Sequence, residues 1–287
     1  MVLVSQVLRK VCRIGFAVLV SFPIAVNGEN LSDIRISSNL QLSESNFKLS
    51  ANKIDFASIF QEFGVTGSIL IYDASKNQLY QHNAPRNSKA FLPASTFKIL
   101  NTLIALETGV IKDDISVLTW DGIKRDFDVW NRDTNLRQAF TNSTVWFYQV
   151  LARKIGNERM QKFINRVGYG NRQIGNSQNI DKFWLKGPLQ ITPKQQIEFL
   201  QQLQSGKLPF SQRNMNLLKD IMIVEKTPLY TLRGKTGWVD RTGWFVGYLE
   251  RNDKVYYFAT SIDILNPKLA AARIKITRRC LQMLELL

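Results

Sequence analysis

Cysteine and histidine are scarce in this sequence, which has two Cys and one His among 287 residues. Cys12 lies in the apolar N-terminal stretch, so Cys280 would be alone in the remaining chain and no internal disulfide is expected. A Ser-His-Asp triad could use only His82, and so few potential ligands exclude a His-rich or Cys-rich zinc site. Glycine-rich phosphate loops are absent as well. If the protein is an enzyme, we expect it to work without a metal and without histidine.

Acidic residues are in the minority, with 23 Asp and Glu against 38 Lys and Arg, which gives a net charge of +15. The basic residues are spread along the whole chain. No basic run alternates with aromatic residues, and no nucleic-acid-binding motif is present, so we predict no nucleic-acid partner. The positive surface could attract small anions or could serve solubility alone, and both interpretations stay open.

The apolar run near the N-terminus is too short for a comfortable membrane span. This run, IGFAVLVSFPIAV, has 13 residues, is interrupted by Pro23 and follows a segment with three basic residues. That arrangement is typical of a secretory signal peptide, with an uncleaved anchor as the alternative. We predict a signal peptide over 1–26, a polar flexible lead-in over 27–52 and one domain over 53–287. The protein would then be periplasmic or secreted, with no stable membrane span after signal removal.

The segment PASTFKILNTLIALETG, residues 93–109, predicts one helix. Pro93 suits the first turn and Gly109 suits the end. Most of the circumference is apolar, as in a buried helix, and a narrow polar strip contains Ser95 and Lys98. Residues three apart are neighbours on a helix face, so the Lys98 amine can reach the Ser95 hydroxyl. Burial lowers the pKa of a lysine, and a serine beside a neutral amine is an activated nucleophile.

The Ser-x-x-Lys pattern occurs three times, starting at Ser45, Ser50 and Ser95. The first two lie in a polar stretch rich in Ser and Asn, where solvated side chains are the simpler interpretation. Only the third lies on a helix that is predicted to be buried. For that pair the alternative is a structural serine with a lysine that extends to the surface, and the motif alone does not decide between the two.

The order of predicted elements indicates an α+β fold. A strand, a turn and a second strand are predicted over 66–83, and helices dominate 117–205. One of these helices should start with Thr192 as N-cap, Pro193 in its first turn and Gln195 placed for a capping box. A further strand is predicted over 229–238 and a hairpin over 243–264. From about residue 267, apolar and basic residues alternate at helical spacing. Strands near both ends of the chain predict one antiparallel sheet that is flanked by helices and interrupted by a helical insertion.

Three further motifs add polar groups that a serine nucleophile would need. NSTVW places Ser143 at the cap of a predicted helix, and GYGN puts Tyr169 in a glycine-bounded turn. GKTGW supplies the cation of Lys235, the hydroxyl of Thr236 and a close backbone approach at Gly237. Ser-x-x-Lys, Ser-x-Val, Tyr-Gly-Asn and Lys-Thr-Gly, in this order and spacing, resemble the class D (oxacillinase-type) serine β-lactamases. The resemblance covers nearly all of the chain after the lead-in and implies a catalytic domain with the β-lactamase/transpeptidase-like fold.

The resemblance also implies catalytic roles. Ser95 would attack the carbonyl carbon of a β-lactam and form an acyl-enzyme. The backbone N–H groups of Ser95 and Trp238 would form the oxyanion hole. Ser143 would pass a proton to the lactam nitrogen, and Lys235 would tune that step electrostatically.

Four residues are implied in substrate binding: Thr236, Gly237, Trp238 and Arg273. Thr236 and Arg273 would hold the substrate carboxylate, Arg273 through paired N–H donors. Arg273 lies among other basic residues near the C-terminus, so plain surface charge is the alternative for it.

In the resembled family the lysine of Ser-x-x-Lys carries a carbamate that forms reversibly from carbon dioxide. This implies an N6-carboxylysine at Lys98 and no other cofactor. The carbamate would be the general base for acylation and again for the deacylating water. It needs a neutral amine and hence an apolar pocket, whose implied walls are Phe97, Val145, Trp184 and Leu185. The Trp184 indole N–H can only donate, which suits an anionic group, although plain core packing is the alternative for Trp184.

The resemblance implies a hydrolase that confers antibiotic resistance, with a small β-lactam as substrate and a monomer or homodimer as its state. Two related functions stay open. A β-lactam sensor of the same fold would acylate and stay acylated, but such sensors normally follow several membrane spans. A penicillin-binding peptidase would act on cell-wall peptides, but Val145 stands where its usual Ser-x-Asn motif has asparagine.

Overall fold

The structure is a computed structural model, and it describes residues 48–49 and 54–287. The predicted signal peptide and most of the predicted lead-in lie outside the described residues. Lys48–Leu49, which the sequence analysis assigns to the lead-in, is a short strand of the main sheet. Within the described part of the chain, no helix is both long enough and apolar enough to cross a membrane.

The described residues contain nine strands, seven of which form one sheet. The strands are β1 (Lys48–Leu49), β2 (Gly67–Asp73), β3 (Gln78–His82), β4 (Val117–Leu118), β5 (Thr134–Asn135), β6 (Ile223–Lys226), β7 (Thr231–Val239), β8 (Thr242–Arg251) and β9 (Lys254–Asp263). The sheet order is β1-β3-β2-β9-β8-β7-β6, and β4 pairs with β5 alone. All sheet neighbours are antiparallel except β1 and β3. The predicted sheet built from both ends of the chain is confirmed.

Ten α-helices surround the sheet in the described part of the chain. They are α1 (Ala57–Glu62), α2 (Ala84–Asn87), α3 (Lys98–Glu107), α4 (Leu136–Thr141), α5 (Val145–Ile155), α6 (Asn157–Val167), α7 (Phe183–Lys186), α8 (Pro193–Gln204), α9 (Gln212–Ile221) and α10 (Ala272–Met283). Short 3₁₀ turns occur at Ala94–Phe97, Asp128–Trp130, Ser177–Asn179 and Pro267–Ala271. Helices α3 to α9 lie between β3 and β6 in the chain, which confirms the predicted helical insertion.

The sheet is buried on both faces, and the alternation of side chains along its strands divides the core in two. On β2, Ile69 and Ile71 pack with α1 and α10 on one face. Leu70 and Tyr72 pack on the other face with the larger cluster that contains α3, α5 and α8. Because α3 belongs to this larger cluster, the Ser-x-x-Lys helix lies on the Leu70 and Tyr72 side of the sheet, which we call the inner face.

Two local predictions are confirmed in detail. Helix α8 starts with Thr192 as N-cap and Pro193 in the first turn, and Thr192 and Gln195 form a reciprocal capping box. Each partner of that box satisfies a backbone N–H that the helix leaves without an internal acceptor. The β8–β9 hairpin turns at Asn252 and Asp253, which both adopt positive φ, as a tight hairpin turn requires.

Candidate active site

Ser95 lies on a tight turn and not on the α-helix that the sequence predicts. Ala94–Phe97 is a 3₁₀ turn, and the α-helix α3 begins only at Lys98. Ala94 has a φ of 50°, in the left-handed region that residues with a Cβ atom rarely adopt. Such a conformation costs about 1–3 kcal/mol and persists where the surroundings enforce it, often at functional sites. The prediction of one continuous helix over 93–109 is therefore wrong at its first turn.

Lys98 begins α3 and is fully buried. Its Nζ lies 2.7 Å from Ser95 Oγ, within hydrogen-bond distance. Burial lowers the pKa of Lys98 well below its usual value, and the nearby charge of Lys235 lowers it further. Burial favours the uncharged form because the interior solvates an ammonium poorly. A neutral amine in contact with a serine hydroxyl is the arrangement that the sequence analysis predicts for this pair.

One aromatic ring faces the Lys98 amine, and the preceding residue, Phe97, belongs to an aromatic cluster in the core. Phe97 is fully buried, stacks on Trp184 at a centroid distance of 5.5 Å, and meets Phe183 edge-on at 5.0 Å. The ring of Tyr148 lies 5.2 Å from Lys98 Nζ. The Trp184 Nε1–H is buried without a hydrogen-bond partner among the described residues. An unpaired buried donor is unusual, and it leaves the pocket able to receive an acceptor.

The other two residues that are predicted to line the carbamate pocket are less buried. Val145 is half-buried and is the first residue of α5, while Leu185 is half-buried on α7 and packs against the main core. Tyr169, predicted in a turn, is buried and meets Phe97 edge-on at 5.7 Å. Phe97, Trp184 and Leu185 therefore belong to one core cluster, and whether they and Val145 enclose a carbamate stays a prediction.

Tyr148 is a site residue that the sequence analysis did not identify. Its hydroxyl shares a 2.9 Å hydrogen bond with Thr102 of α3, and its ring faces Lys98. Burial raises the pKa of the Tyr148 phenol far above its usual value, so the phenol is neutral. Helical spacing could have found it, because Tyr148 lies three residues after Val145 on α5 and shares its face.

Lys235 and Ser143 form the second polar pair of the site. Lys235 of β7 is buried, and its Nζ donates to Ser143 Oγ and to the backbone oxygen of Thr236. Burial, followed by the charge of Arg273, lowers the pKa of Lys235 to about 7. Ser143 lies in the loop between α4 and α5 with a φ of 53°, and Thr144 rather than Ser143 is the N-cap of α5. The predicted cap position is thus wrong by one residue.

Strand β7 runs directly alongside the Ser95 turn. A Cβ atom on Gly237 would lie 3.1 Å from the carbonyl oxygen of Pro93 and 3.2 Å from the backbone nitrogen of Thr96. Glycine is therefore the residue that allows this close approach. Trp238 follows at the surface, where its indole N–H donates to the backbone oxygen of Asp240. This geometry brings the backbone around Trp238 beside the turn that carries Ser95.

Arg273 lies in the first turn of α10 and is mostly buried, so plain surface charge is not its environment. One guanidinium nitrogen donates to the backbone oxygen of Ala270, whereas Nε is buried without a partner among the described residues. Burial lowers the pKa of Arg273 to about 10. Its charge acts on Lys235, which places the two cations in the same region. Thr236, half-buried on β7, adds a hydroxyl there.

The remaining reactive residue types lie elsewhere in the described chain. His82 stacks on Phe60 of α1 at 4.5 Å, and burial lowers its pKa. Cys280 is buried on α10, and burial raises the pKa of its thiol to about 12. Among the described residues, no three His, Cys, Asp or Glu side chains are grouped in a way that could hold a metal ion.

Comparisons with known proteins agree on one family. The model of the penicillin-binding protein transpeptidase domain matches residues 65–281. The chain is 41% identical over 227 residues to β-lactamase OXA-48 of Klebsiella pneumoniae, which covers 78% of this chain and 85% of that relative. It is 42% identical over 200 residues to the probable β-lactamase YbxI of Bacillus subtilis (strain 168), which covers 69% of this chain and 74% of that relative.

Solved structures give the same result. A class D β-lactamase from Nostoc shares 64% sequence identity and a TM-score of 0.80, over 81% of this chain and 99% of that structure. A class D β-lactamase from Fusobacterium nucleatum subsp. polymorphum shares 40% identity and a TM-score of 0.78, over 81% and 98%. The match extends over the sheet, the helical insertion and the site, and the chain belongs to the class D serine β-lactamases.

Proposed function

We propose that this enzyme hydrolyses the β-lactam ring of penicillin-type antibiotics through an acyl-enzyme on Ser95. The observation that supports this most strongly is the 2.7 Å contact between Ser95 Oγ and the fully buried Nζ of Lys98. A hydroxyl next to a neutral amine can give up its proton as it attacks a carbonyl carbon. The relatives named as β-lactamases support the choice of substrate class.

The residues around Lys98 fit a carbamate on its Nζ. A neutral amine is required for carbon dioxide to add, and the low pKa of Lys98 supplies it. The unpaired Trp184 Nε1–H is a donor suited to an anionic oxygen, and the full burial of Lys98 beside the Tyr148 ring keeps its surroundings apolar. When present, the carbamate supplies an anionic oxygen base in place of the amine.

The remaining polar residues would divide the acylation step between them. The base at Lys98 takes the proton of Ser95 as Oγ bonds to the lactam carbonyl carbon. The carbon–nitrogen bond of the ring then breaks, and the nitrogen takes a proton from Ser143, whose hydroxyl is held by Lys235. Ser143 is reprotonated by the proton that left Ser95, so the step neither gains nor loses a proton. A water molecule later attacks the ester carbon. The ring-opened product leaves with a new carboxylate, and Ser95 regains its hydroxyl proton.

Binding and charge stabilisation would come from β7 and α10. The backbone N–H groups of Ser95 and Trp238 would receive the developing oxyanion, a contribution of roughly 3–4 kcal/mol per donor. The substrate carboxylate would lie against Thr236 and Arg273, where Arg273 has a buried Nε without a partner among the described residues. Arg273 and Lys235 together make this region positive, and an anionic substrate would compensate their charges.

The wider biological role is proposed from the sequence. The N-terminal pattern of residues 1–26 supports export to the periplasm or the medium, where the enzyme would act as a monomer or homodimer. An exported β-lactam hydrolase would protect its host against antibiotics of this class.

Turnover of a chromogenic cephalosporin by the purified mature protein tests the proposal. We expect repeated turnover by the unaltered enzyme and none by Ser95→Ala. A single stoichiometric burst without turnover would instead indicate a β-lactam sensor, and unchanged turnover by Ser95→Ala would exclude Ser95 as the nucleophile.

A further inference from the structure

A hydrogen-bond chain from α8 reaches the backbone of the Ser95 turn, and no step proposed above uses it. Gln196 is fully buried on α8 and donates from Nε2 to Thr96 Oγ1 across 2.8 Å. Thr96 Oγ1 in turn donates to the carbonyl oxygen of Pro93 across 2.7 Å. The chain therefore ties the residue after the nucleophile to the residue two positions before it.

The segment restrained in this way contains the strained residue of the site. Ala94, between Pro93 and Ser95, has a φ of 50°. A left-handed conformation at a residue with a Cβ atom persists only where its surroundings over-determine it. The carbonyl oxygen of Pro93 also accepts the backbone N–H of Thr96 at 3.1 Å, so two donors from one residue hold it. The hydrogen-bond chain from α8 supports this turn while β7 packs against the same carbonyl at Gly237.

Packing alone does not explain a glutamine at this position. Gln196 Oε1 is buried and has no hydrogen-bond partner among the described residues. A buried polar atom without a partner is destabilising, and an apolar side chain of similar size would avoid that penalty. The Nε2 donor is the part of Gln196 that makes a specific contact. The phenol of Tyr169 lies near both Gln196 and Thr96, which keeps the whole cluster within the core beneath the turn.

We propose that Gln196 and Thr96 are positioning residues that hold the Ser95 turn in the conformation needed for acylation. The turn carries both the nucleophilic oxygen and one backbone donor of the proposed oxyanion hole, so a small displacement affects both. This inference rests on the proposed function of Ser95 as nucleophile. Displacement of reacting groups by about 1 Å can lower a rate by roughly 100-fold.

The test compares the acylation rate constants of Gln196→Leu and Thr96→Val with that of the unaltered enzyme, measured by stopped flow with a chromogenic cephalosporin. We expect a fall of roughly 10- to 100-fold in each variant. Thr96→Ser keeps the hydroxyl and should restore the rate. The double variant should lose less than the two single losses combined, because both substitutions break one hydrogen-bond chain.

Thr108→Val is the matched control. Thr108 also donates from Oγ1 to a backbone oxygen, that of Ile104, at 2.7 Å, but at the other end of α3. The substitution Thr108→Val should change the thermal stability without slowing acylation. The ¹³C signal of the carbamate at Lys98 in ¹³C-bicarbonate should be unchanged in Gln196→Leu, which separates a displaced turn from a disrupted pocket.

Two results would overturn the inference. Acylation in Gln196→Leu and Thr96→Val that falls no more than in Thr108→Val would make the chain purely structural. Failure of Thr96→Ser to restore the rate would show that the hydroxyl is not the group that matters. Absence of any acyl adduct in the unaltered enzyme would instead refute the proposed function itself, and this inference with it. If Thr96→Val does not fold, the acylation rate constants of Gln196→Leu and Thr96→Ser still test the inference.

Discussion

Two lysines, Lys98 and Lys235, are buried in the site, and neither forms an ion pair with an acidic side chain among the described residues. Burial without a counter-ion lowers the pKa of both side chains, and each positive charge would disfavour the other. Ordinary lysines are protonated in the unfolded chain at neutral pH, so folding must release protons from these two. The site therefore destabilises the fold while it creates a nucleophile and base, a common trade-off at active sites.

Replacing Lys98 by an apolar side chain of similar length should stabilise the protein and abolish turnover. The folded-state pKa of Lys98 is lowered, so the unfolded chain binds more protons than the folded one up to about pH 10.4. The destabilisation that Lys98 causes should therefore become smaller as the pH rises in that range. The advantage of Lys98→Met, measured by thermal unfolding in buffer free of carbon dioxide, should be largest near neutral pH and shrink as the pH rises.

Lys235→Met is a useful companion, because the pKa of about 7 confines the pH dependence of the Lys235 penalty to the range between about 7 and 10.4. Below about pH 7 the penalty, and with it the stability advantage of Lys235→Met, should stay constant at its full value. A Lys98→Met variant that is less stable than the unaltered enzyme at neutral pH would contradict the assignment of a desolvated neutral amine.

The apolar pocket should control the response to bicarbonate. Enzyme stripped of carbon dioxide at low pH and returned to neutral pH should regain activity when bicarbonate is added, whereas Lys98→Ala should stay inactive. Val145→Asn should weaken this response, because a polar side chain at the start of α5 would admit water and favour the charged amine. Activity assays across a bicarbonate titration measure both effects. If bicarbonate does not raise the activity of the unaltered enzyme, the proposed carbamate on Lys98 is refuted. If Val145→Asn responds to bicarbonate as the unaltered enzyme does, the role given to Val145 is refuted.

At the scale of elements, the site is made by β7 passing against the 3₁₀ turn that precedes α3. Gly237 allows a separation at which any Cβ atom would touch the Pro93 carbonyl and the Thr96 backbone. The strand pairs with β8 along its whole length, and Gly237 itself lies opposite Trp244, so β7 cannot easily move away. The turn, which already contains the strained Ala94, is the part that would have to shift.

Gly237→Ala should therefore slow acylation by about tenfold or more, because the displaced turn carries the nucleophile. Gly109→Ala is the control, since Gly109 has a φ of 68° at the end of α3 and a Cβ atom there meets nothing within 4 Å. That substitution should cost about 1 kcal/mol of stability with unchanged acylation. Pre-steady-state kinetics and thermal unfolding distinguish the two, and equal acylation rates in Gly237→Ala and the unaltered enzyme would contradict the proposed constraint.

Elements that depend on residues close together in the chain could be predicted from the sequence. The capping box of α8 and the β8–β9 hairpin each depend on residues within a few positions of one another, and both are confirmed. The polar pairing of Ser95 with Lys98 was also predictable, because helical and 3₁₀ spacing both bring residues three apart together. The resemblance supplied most of the remaining site residues, but not their geometry.

Features that depend on distant parts of the chain could not be predicted from local patterns. The break between the 3₁₀ turn and α3 follows from packing against β7 and from the left-handed Ala94, which no helix propensity indicates. The contact between Lys235 and Ser143 joins residues that are 92 positions apart. Helical spacing puts Tyr148 on the same face as Val145, but its contacts with Thr102 and Lys98 depend on the packing of α5 against α3.

At the scale of the whole molecule, one sheet is built from both chain ends, and the helical insertion packs on one of its faces. The inner face carries the larger core cluster, which includes the aromatic pocket. The proposed nucleophile, proton donor and cation come from the turn before α3, the α4–α5 loop and β7, so the site forms only when sheet and insertion are assembled. The export signal predicted over 1–26 would place this site outside the cytoplasm.

Expression in a β-lactam-sensitive bacterium tests this prediction. The full chain should protect the host, with activity in the periplasm or medium. A version that starts at residue 27 after an added Met should stay inside and protect poorly, although the purified enzyme turns over equally fast. Equal protection by both versions would contradict the assignment of residues 1–26 as an export signal.

The proposal that a neutral Lys98 amine activates Ser95 is tested most directly by measuring the protonation state of Lys98. Its ¹³Cε or ¹⁵Nζ chemical shift can be followed by NMR as a function of pH in buffer free of carbon dioxide, with Lys98→Met to assign the signal. We expect Lys98 to titrate well below the usual lysine pKa of about 10.4, so that the amine is neutral at the pH of catalysis. A titration at the usual value, with a charged ammonium at neutral pH, would contradict the account.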